Sequence, residues 1–342
     1  MRFTTARTRS SLAGFSLIEL MVGMTIGLLA VLIITQVMSL FELQRRATTG
    51  TADAQVNGAI GLFAIQRDVQ MAGFGLMPIT NPSIECTTVL YGASVTGITG
   101  MGPVSITDGT SDSLTIRYAS GQTGGVVSQV TSLVGNAATV GSNLGCQVGD
   151  VTLASAGTTC AFSKATAVSA SGVSPITVTL SENTNAGSGS NLACLGSWTE
   201  VTYAVAPDAT VAGASNLTRT TRVNGAVVDN AKPVVAGIVN LQVQYGVSST
   251  ATSNQVTSWV DASGGTWAAP SVANRNRIKA IRLVVVARNS KKEQDNVTSS
   301  ALTWSGGTID LSADASWQKY RYRTFETIIP LRNVVWARGT LD

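Results

Sequence analysis

From Phe15 to Phe41 the chain holds one charged residue, Glu19, in 27 positions. As a helix rising about 1.5 Å per residue, the run reaches about 40 Å, enough to cross a bilayer. A carboxylate near the start of such a helix costs on the order of 2.5–3.5 kcal/mol on insertion scales unless something pairs with it. The run therefore demands a helix covered by lipid or by other helices, and a partner for its one acid.

Arg2, Arg7 and Arg9 precede the run with no acid among them. An ordinary secretory signal has a short apolar core closed by small residues. This run is longer and passes into Glu42-Leu43-Gln44-Arg45-Arg46. A plain membrane anchor fits the length and the basic flank, but leaves Glu19 unexplained. Gly14-Phe15-Ser16-Leu17-Ile18-Glu19-Leu20, behind a basic leader, resembles the class III signal of type IV prepilins and pseudopilins.

That resemblance implies cleavage by prepilin peptidase between Gly14 and Phe15, N-methylation of Phe15, and retention of the apolar segment. The new α-amine at Phe15 would lie one helical turn from Glu19 and form an ion pair with it, within the chain or between neighbours. The fold implied is α+β: a type IV pilin, with a long N-terminal helix packed on a β-rich, antiparallel globular head. Residues 1–14 would be the leader, 15–75 the helix (15–41 transmembrane or filament core), and 76–342 a periplasmic head. Many pilins have a proline where this chain has Gln36; Gly23 and Gly27 form a G-x-x-x-G spacing instead, which permits close helix approach.

Beyond the membrane run, Val56, Ile60 and Phe63, returning near Arg67 and Gln70, give a helical stripe, to be packed against a sheet or against neighbouring helices. Gly50, Gly58 and Gly61 weaken this helix by roughly 1 kcal/mol each relative to Ala, and Gly73, Gly75 and Pro78 end it. The rest reads as short β-branched runs between turn signals: Thr87–Tyr91, Ser113–Tyr118, Val126–Val130, Asp150–Ala154, Ile176–Leu180, Glu200–Val205, Ile238–Tyr245, Ile278–Ala287 and Tyr320–Ile329. Asp108–Asp112 reads as a hairpin turn with too few ligands for a calcium loop, Asn224-Gly225 as a hairpin turn, and residues 183–191 as a flexible loop.

Val239–Gly246, Arg275–Asn289 and Trp317–Asn333, taken with the N-terminal signal, resemble the PilW family of type IV minor pilins. The resemblance implies pilus assembly, in a priming or tip complex that supports twitching motility or adhesion. The partners it implies are prepilin peptidase, other minor pilins, the major pilin and the inner-membrane assembly platform. The location it implies is a Gram-negative inner membrane, single-pass with the head in the periplasm, and the pilus or its tip. A J-type pseudopilin of type II secretion, or a tip adhesin or DNA-uptake subunit, is the alternative.

The chain has no histidine, which removes Ser-His-Asp and Cys-His catalysis and His-containing zinc sites. No phosphate-binding glycine fingerprint appears; no enzyme activity, cofactor or metal is expected. Net charge is +4 and falls to +1 without residues 1–14, so general nucleic-acid binding is not expected. Locally, Lys319-Tyr320-Arg321-Tyr322-Arg323 reads as a strand with Lys319, Arg321 and Arg323 on one face, either a binding surface or a solvated one. Cys86, Cys146, Cys160 and Cys194 suggest two disulfides outside the cytoplasm. Three connectivities are open, and sequence proximity favours Cys146–Cys160 with Cys86–Cys194.

Overall fold

The computed structural model describes residues 14–76, 88–91, 95–99, 102–121, 126–156, 159–170, 172–184 and 187–336. Residues 1–13 of the expected leader, and Cys86, lie outside them. The chain divides into two compact units, residues 1–50 and 51–342. Helix α1 (Leu17–Gln70) runs without a break through Gln36. In the first unit, Leu17–Glu42 is a span of 26 residues long and apolar enough to cross a membrane.

In the second unit the chain enters β1 (Thr88–Tyr91), β2 (Val95–Thr99), β3 (Val104–Thr107) and β4 (Ser113–Ala119). Then come β5 (Val127–Val134), β6 (Ala137–Val140), β7 (Val151–Ala156), β8 (Thr159–Val168), β9 (Thr177–Leu180) and β10 (Asn191–Gly196). They are followed by β11 (Trp198–Pro207), β12 (Ser215–Val223), β13 (Ala226–Ala236), β14 (Ile238–Ser248) and β15 (Val256–Asp261). After α2 (Gly264–Trp267) and α3 (Val272–Asn276) lie β16 (Ile278–Arg288), β17 (Leu302–Trp304), β18 (Gly307–Ile309), β19 (Tyr322–Pro330) and α4 (Arg332–Trp336).

Three sheets carry the head. A five-stranded sheet runs β13-β12-β11-β4-β3 and a four-stranded sheet β15-β14-β16-β19, both antiparallel throughout. They meet at Gly237, whose φ of +76° turns β13 directly into β14. Strands β5, β6, β9, β8, β7 and β10 pair in a ring, because β8 bonds β9 as well as β7. The result is a small closed barrel, with β1 added parallel to β8 and β2 beyond it. Alternation builds each layer: in β9, Val178 and Leu180 point inward while Thr177 and Thr179 do not, as period 2 requires. The barrel is filled by Val130, Val140, Ala165, Val178, Leu180 and Leu192.

The hairpins follow the local chemistry. Asn224 (φ 52°) and Gly225 (φ 82°) join β12 to β13 with both central residues left-handed, the geometry that favours Asn-Gly. Residues 108–112 turn β3 into β4, and Asp112 then ties that turn to β14. Its carboxylate accepts the Gly109 N–H at 3.1 Å and the Val243 N–H at 2.7 Å. Burial pushes its pKa up to about 6, with Asp108 and Asp261 adding to the rise against the two backbone bonds.

Three sequence expectations are corrected. The face of α1 turned to the sheets is Ala54, Gly58, Gly61, Ile65 and Val69, with Ala72 buried just beyond its end, whereas Val56, Ile60 and Phe63 are 57%, 47% and 67% exposed. The reason is closeness of approach. A Cβ on Gly58 would sit 2.0 Å from the Phe325 ring, and one on Gly61 3.3 Å from Leu217 and Val235. Small residues let the helix backbone lie on the sheets, and the large apolar residues end up outside.

Cysteine pairing also differs, because Cys146 bonds Cys194 with Cα atoms 5.2 Å apart. Cys160 is disulfide-bonded as well. Strand β7 lies between β10 and β8; Cys194 registers with Thr152 at its start and Cys160 with Ser155 near its end. The residue 14 positions away in sequence is thus on the wrong neighbour strand for Cys146. At the C-terminal end, Trp317–Lys319 form a 3-10 turn and the strand starts at Tyr322, so of Lys319, Arg321 and Arg323 only Arg323 lies on the strand, and the three do not share a strand face. The chain enters β10 with Val130 N–H donating to Ser190 O and Gly189 N–H donating to Val130 O.

Candidate functional site

Gly14, Phe15 and Ser16 precede the first helical residue, Leu17. The Ser16 N–H donates to Glu19 Oε2 at 3.0 Å, and the Ile18 N–H to Ser16 Oγ at 3.4 Å. Leu20 N–H closes the first turn on Ser16 O at 3.2 Å. This is a reciprocal capping box, with Ser at the cap and Glu three residues on. Sequence reasoning assigned Glu19 to an amine and passed over this role, although Ser-x-x-Glu before an apolar run is its signature. A carboxylate here also faces the positive end of the helix.

A Cβ on Gly14 would meet nothing within 4 Å among the described residues. Gly23 and Gly27 likewise have open space around the position of a Cβ.

On the head, the second part of α1 is held by a polar contact as well as by packing. Asp68, 6% exposed, accepts Tyr203 Oη at 2.8 Å and Arg219 Nε at 2.9 Å. Tyr203 is 0% exposed. Its hydroxyl is pushed up, by burial first and by the Asp68 charge second. Asn333 Nδ2 donates to Ala72 O at 2.9 Å, joining the residues beyond α1 to α4. These partners are 135, 151 and 261 positions apart in sequence, too far for any local signal.

The basic segment is divided by its neighbours. Arg321 Nε meets Glu293 Oε1 at 3.1 Å, Tyr320 lies under the Arg288 guanidinium at 4.2 Å, and Tyr322 Oη donates to Trp317 O at 2.9 Å. Arg321 and Arg323 line a cavity of about 240 Å³ with Thr51, Ala54, Val297, Thr298 and Tyr322. Lys319 is not among its walls.

Residues 202–333 match the family model for type IV pilus-assembly protein W, PilW, and residues 9–35 match the prokaryotic N-terminal methylation motif. Over these residues the chain is similar to PilW. The PilW-like region begins within β11 and ends within α4, so it spans most of the five-stranded and four-stranded sheets; the barrel falls outside both matches. Among solved structures, a type IV-like pilin from Thermus thermophilus aligns with 11% identity over 83% of this chain and 96% of its own, at a TM-score of 0.36. No curated protein sequence matches.

Proposed function

We propose that this PilW-like chain is a minor pilin matured by prepilin peptidase after Gly14, N-methylated at Phe15, and assembled into the priming or tip complex of a type IV pilus. The observation that carries the reading is the match to the N-terminal methylation motif over residues 9–35, with the Gly14–Phe15 bond just ahead of a capped helix. The cap holds the helix start just beyond the bond to be cut and leaves that bond out of the helix.

After cleavage, Glu19 keeps the Ser16 N–H within reach and gains the Phe15 amine as a second partner. Its charge is then matched inside the membrane. Residues 15–41 anchor the chain in an inner membrane, or lie in the filament core once assembled, and residues 76–342 stand in the periplasm. Other minor pilins, the major pilin and the assembly platform are its partners.

N-terminal sequencing of the membrane form tests the reading. It is expected to start at methylated Phe15, and a start at Met1 or after Phe41 would overturn it. Deletion of the gene is expected to abolish twitching and leave type II secretion intact; the reverse outcome would assign the chain to a pseudopilus.

A further inference from the structure

The cavity at Arg321 and Arg323 has a character that neither processing nor filament anchoring uses. Its walls are two guanidinium groups, the hydroxyls of Thr51 and Thr298, Tyr322, and the apolar side chains of Ala54 and Val297, with no acid among them. Several of these are held in place from behind. Arg321 gives Nε to Glu293, Thr298 Oγ1 donates to Tyr320 O at 2.6 Å, and Tyr322 Oη is taken by Trp317 O. Arg323 makes no ion pair among the described residues and is exposed. One guanidinium held by Glu293 beside a second, exposed one offers the donors that an oxyanion accepts in forked, charge-assisted hydrogen bonds.

The volume limits what can enter. About 240 Å³ is below the roughly 300–1,000 Å³ of sites that enclose a drug-sized ligand, so a single charged group fits better than a whole cofactor. The aromatic residues argue against bases stacking on this strand. The Tyr320 ring is covered by Arg288, whereas single-stranded nucleic acid needs open aromatic faces.

We propose that this cavity binds one oxyanionic group, a carboxylate or a phosphate, between Arg321 and Arg323. Two sources carry that chemistry: an acidic side chain of an adjoining subunit, and free phosphate. The site stands on the head alone, whether or not the chain is processed as proposed above.

The test uses the full chain in detergent, treated with phenylglyoxal, which modifies accessible guanidinium groups, and mapped by peptide mass. Inorganic phosphate and glutarate are the probes, against chloride of equal ionic strength, with the exposed Arg222 and Arg332 as internal controls. At saturating probe, modification of Arg321 and Arg323 is expected to slow by about threefold or more, with no change at Arg222 and Arg332. Protection by glutarate identifies the carboxylate source, and protection by phosphate alone the phosphate source. Arg323→Gln is expected to remove the protection at Arg321. Equal slowing at the control arginines, or none beyond chloride, would overturn the site; this readout on the unaltered chain does not depend on any variant folding.

Discussion

At Gly58 two residue-scale effects oppose each other. Alanine in a helix is worth about 1 kcal/mol over glycine, yet here its Cβ would lie 2.0–2.8 Å from three Phe325 ring atoms. Overpacking of this kind costs about 1–3 kcal/mol, so Gly58→Ala is expected to lower head stability, read as a lower denaturation midpoint by tryptophan fluorescence. Gly23→Ala, with nothing within 4 Å, is expected to leave that midpoint unchanged. Asp112 supplies a second prediction at this scale. Its folded pKa of about 6 lies above the ordinary aspartate value of 3.8. Its contribution is therefore fully present below the lower value and is lost as pH rises through the upper one. Unfolding midpoints measured from about pH 4 to about pH 7 are expected to fall more steeply for the wild type than for Asp112→Asn; parallel curves would contradict the assignment.

Elements show how local and distant signals divide. The first turn of α1 is written in four consecutive residues, so its cap was readable from Ser16 and Glu19. Glu19→Gln retains an acceptor for the Ser16 N–H but carries no charge. It is expected to be cleaved normally, as judged by N-terminal mass, and to be incorporated poorly into pili; normal incorporation would remove the ion pair from the argument. The strands were legible for the same local reason: β14 and β16 begin where their apolar runs begin. Others carried no such run: β12 is filled by Ser, Asn, Thr and Arg, and β13 is broken by Asp229, Asn230, Lys232 and Pro233, so only their neighbours make them strands. The Cys146–Cys194 bridge closes a separation of 48 residues, and such loops contribute about 2–5 kcal/mol. Cys146→Ser is therefore expected to speed amide exchange in β7 and β10 more than in β14 and β16.

At the scale of the molecule, the barrel is an insertion. Strands β4 and β11 pair directly, Ala119 opposite Trp198, and the chain leaves between them to build β5–β10. Entry and exit cross at Gly121 and Gly196, where a Cβ on Gly196 would lie 2.8 Å from Gly121 N. Gly196 also has a φ of +70°, so larger residues are excluded there on two counts. Leu76, Phe162, Leu195 and Trp198 then pack the outside of the barrel against the rest of the head, with Phe162 and Trp198 ring centroids 5.0 Å apart. Trp198→Ala is expected to destabilise the head by about 3–5 kcal/mol, seen as a lower midpoint shared by the barrel and the sheets. Loss confined to the barrel would mean the two fold separately.

What the amino-acid order determined alone was whatever nearby residues can enforce. This comprises the apolar span, the glycine and capped turn before it, the β-rich texture and the Asn224-Gly225 hairpin. Tertiary structure decided which face of α1 is inside, which cysteines meet, and that Arg321 and Arg323 share a cavity with Thr51 while Lys319 does not. The physical reason is the same in each case. Burial depends on how closely two backbones approach, and at Gly58 and Gly61 the absence of side chains, invisible as hydrophobicity, is what let the sheets come in and left Val56, Ile60 and Phe63 on the outside.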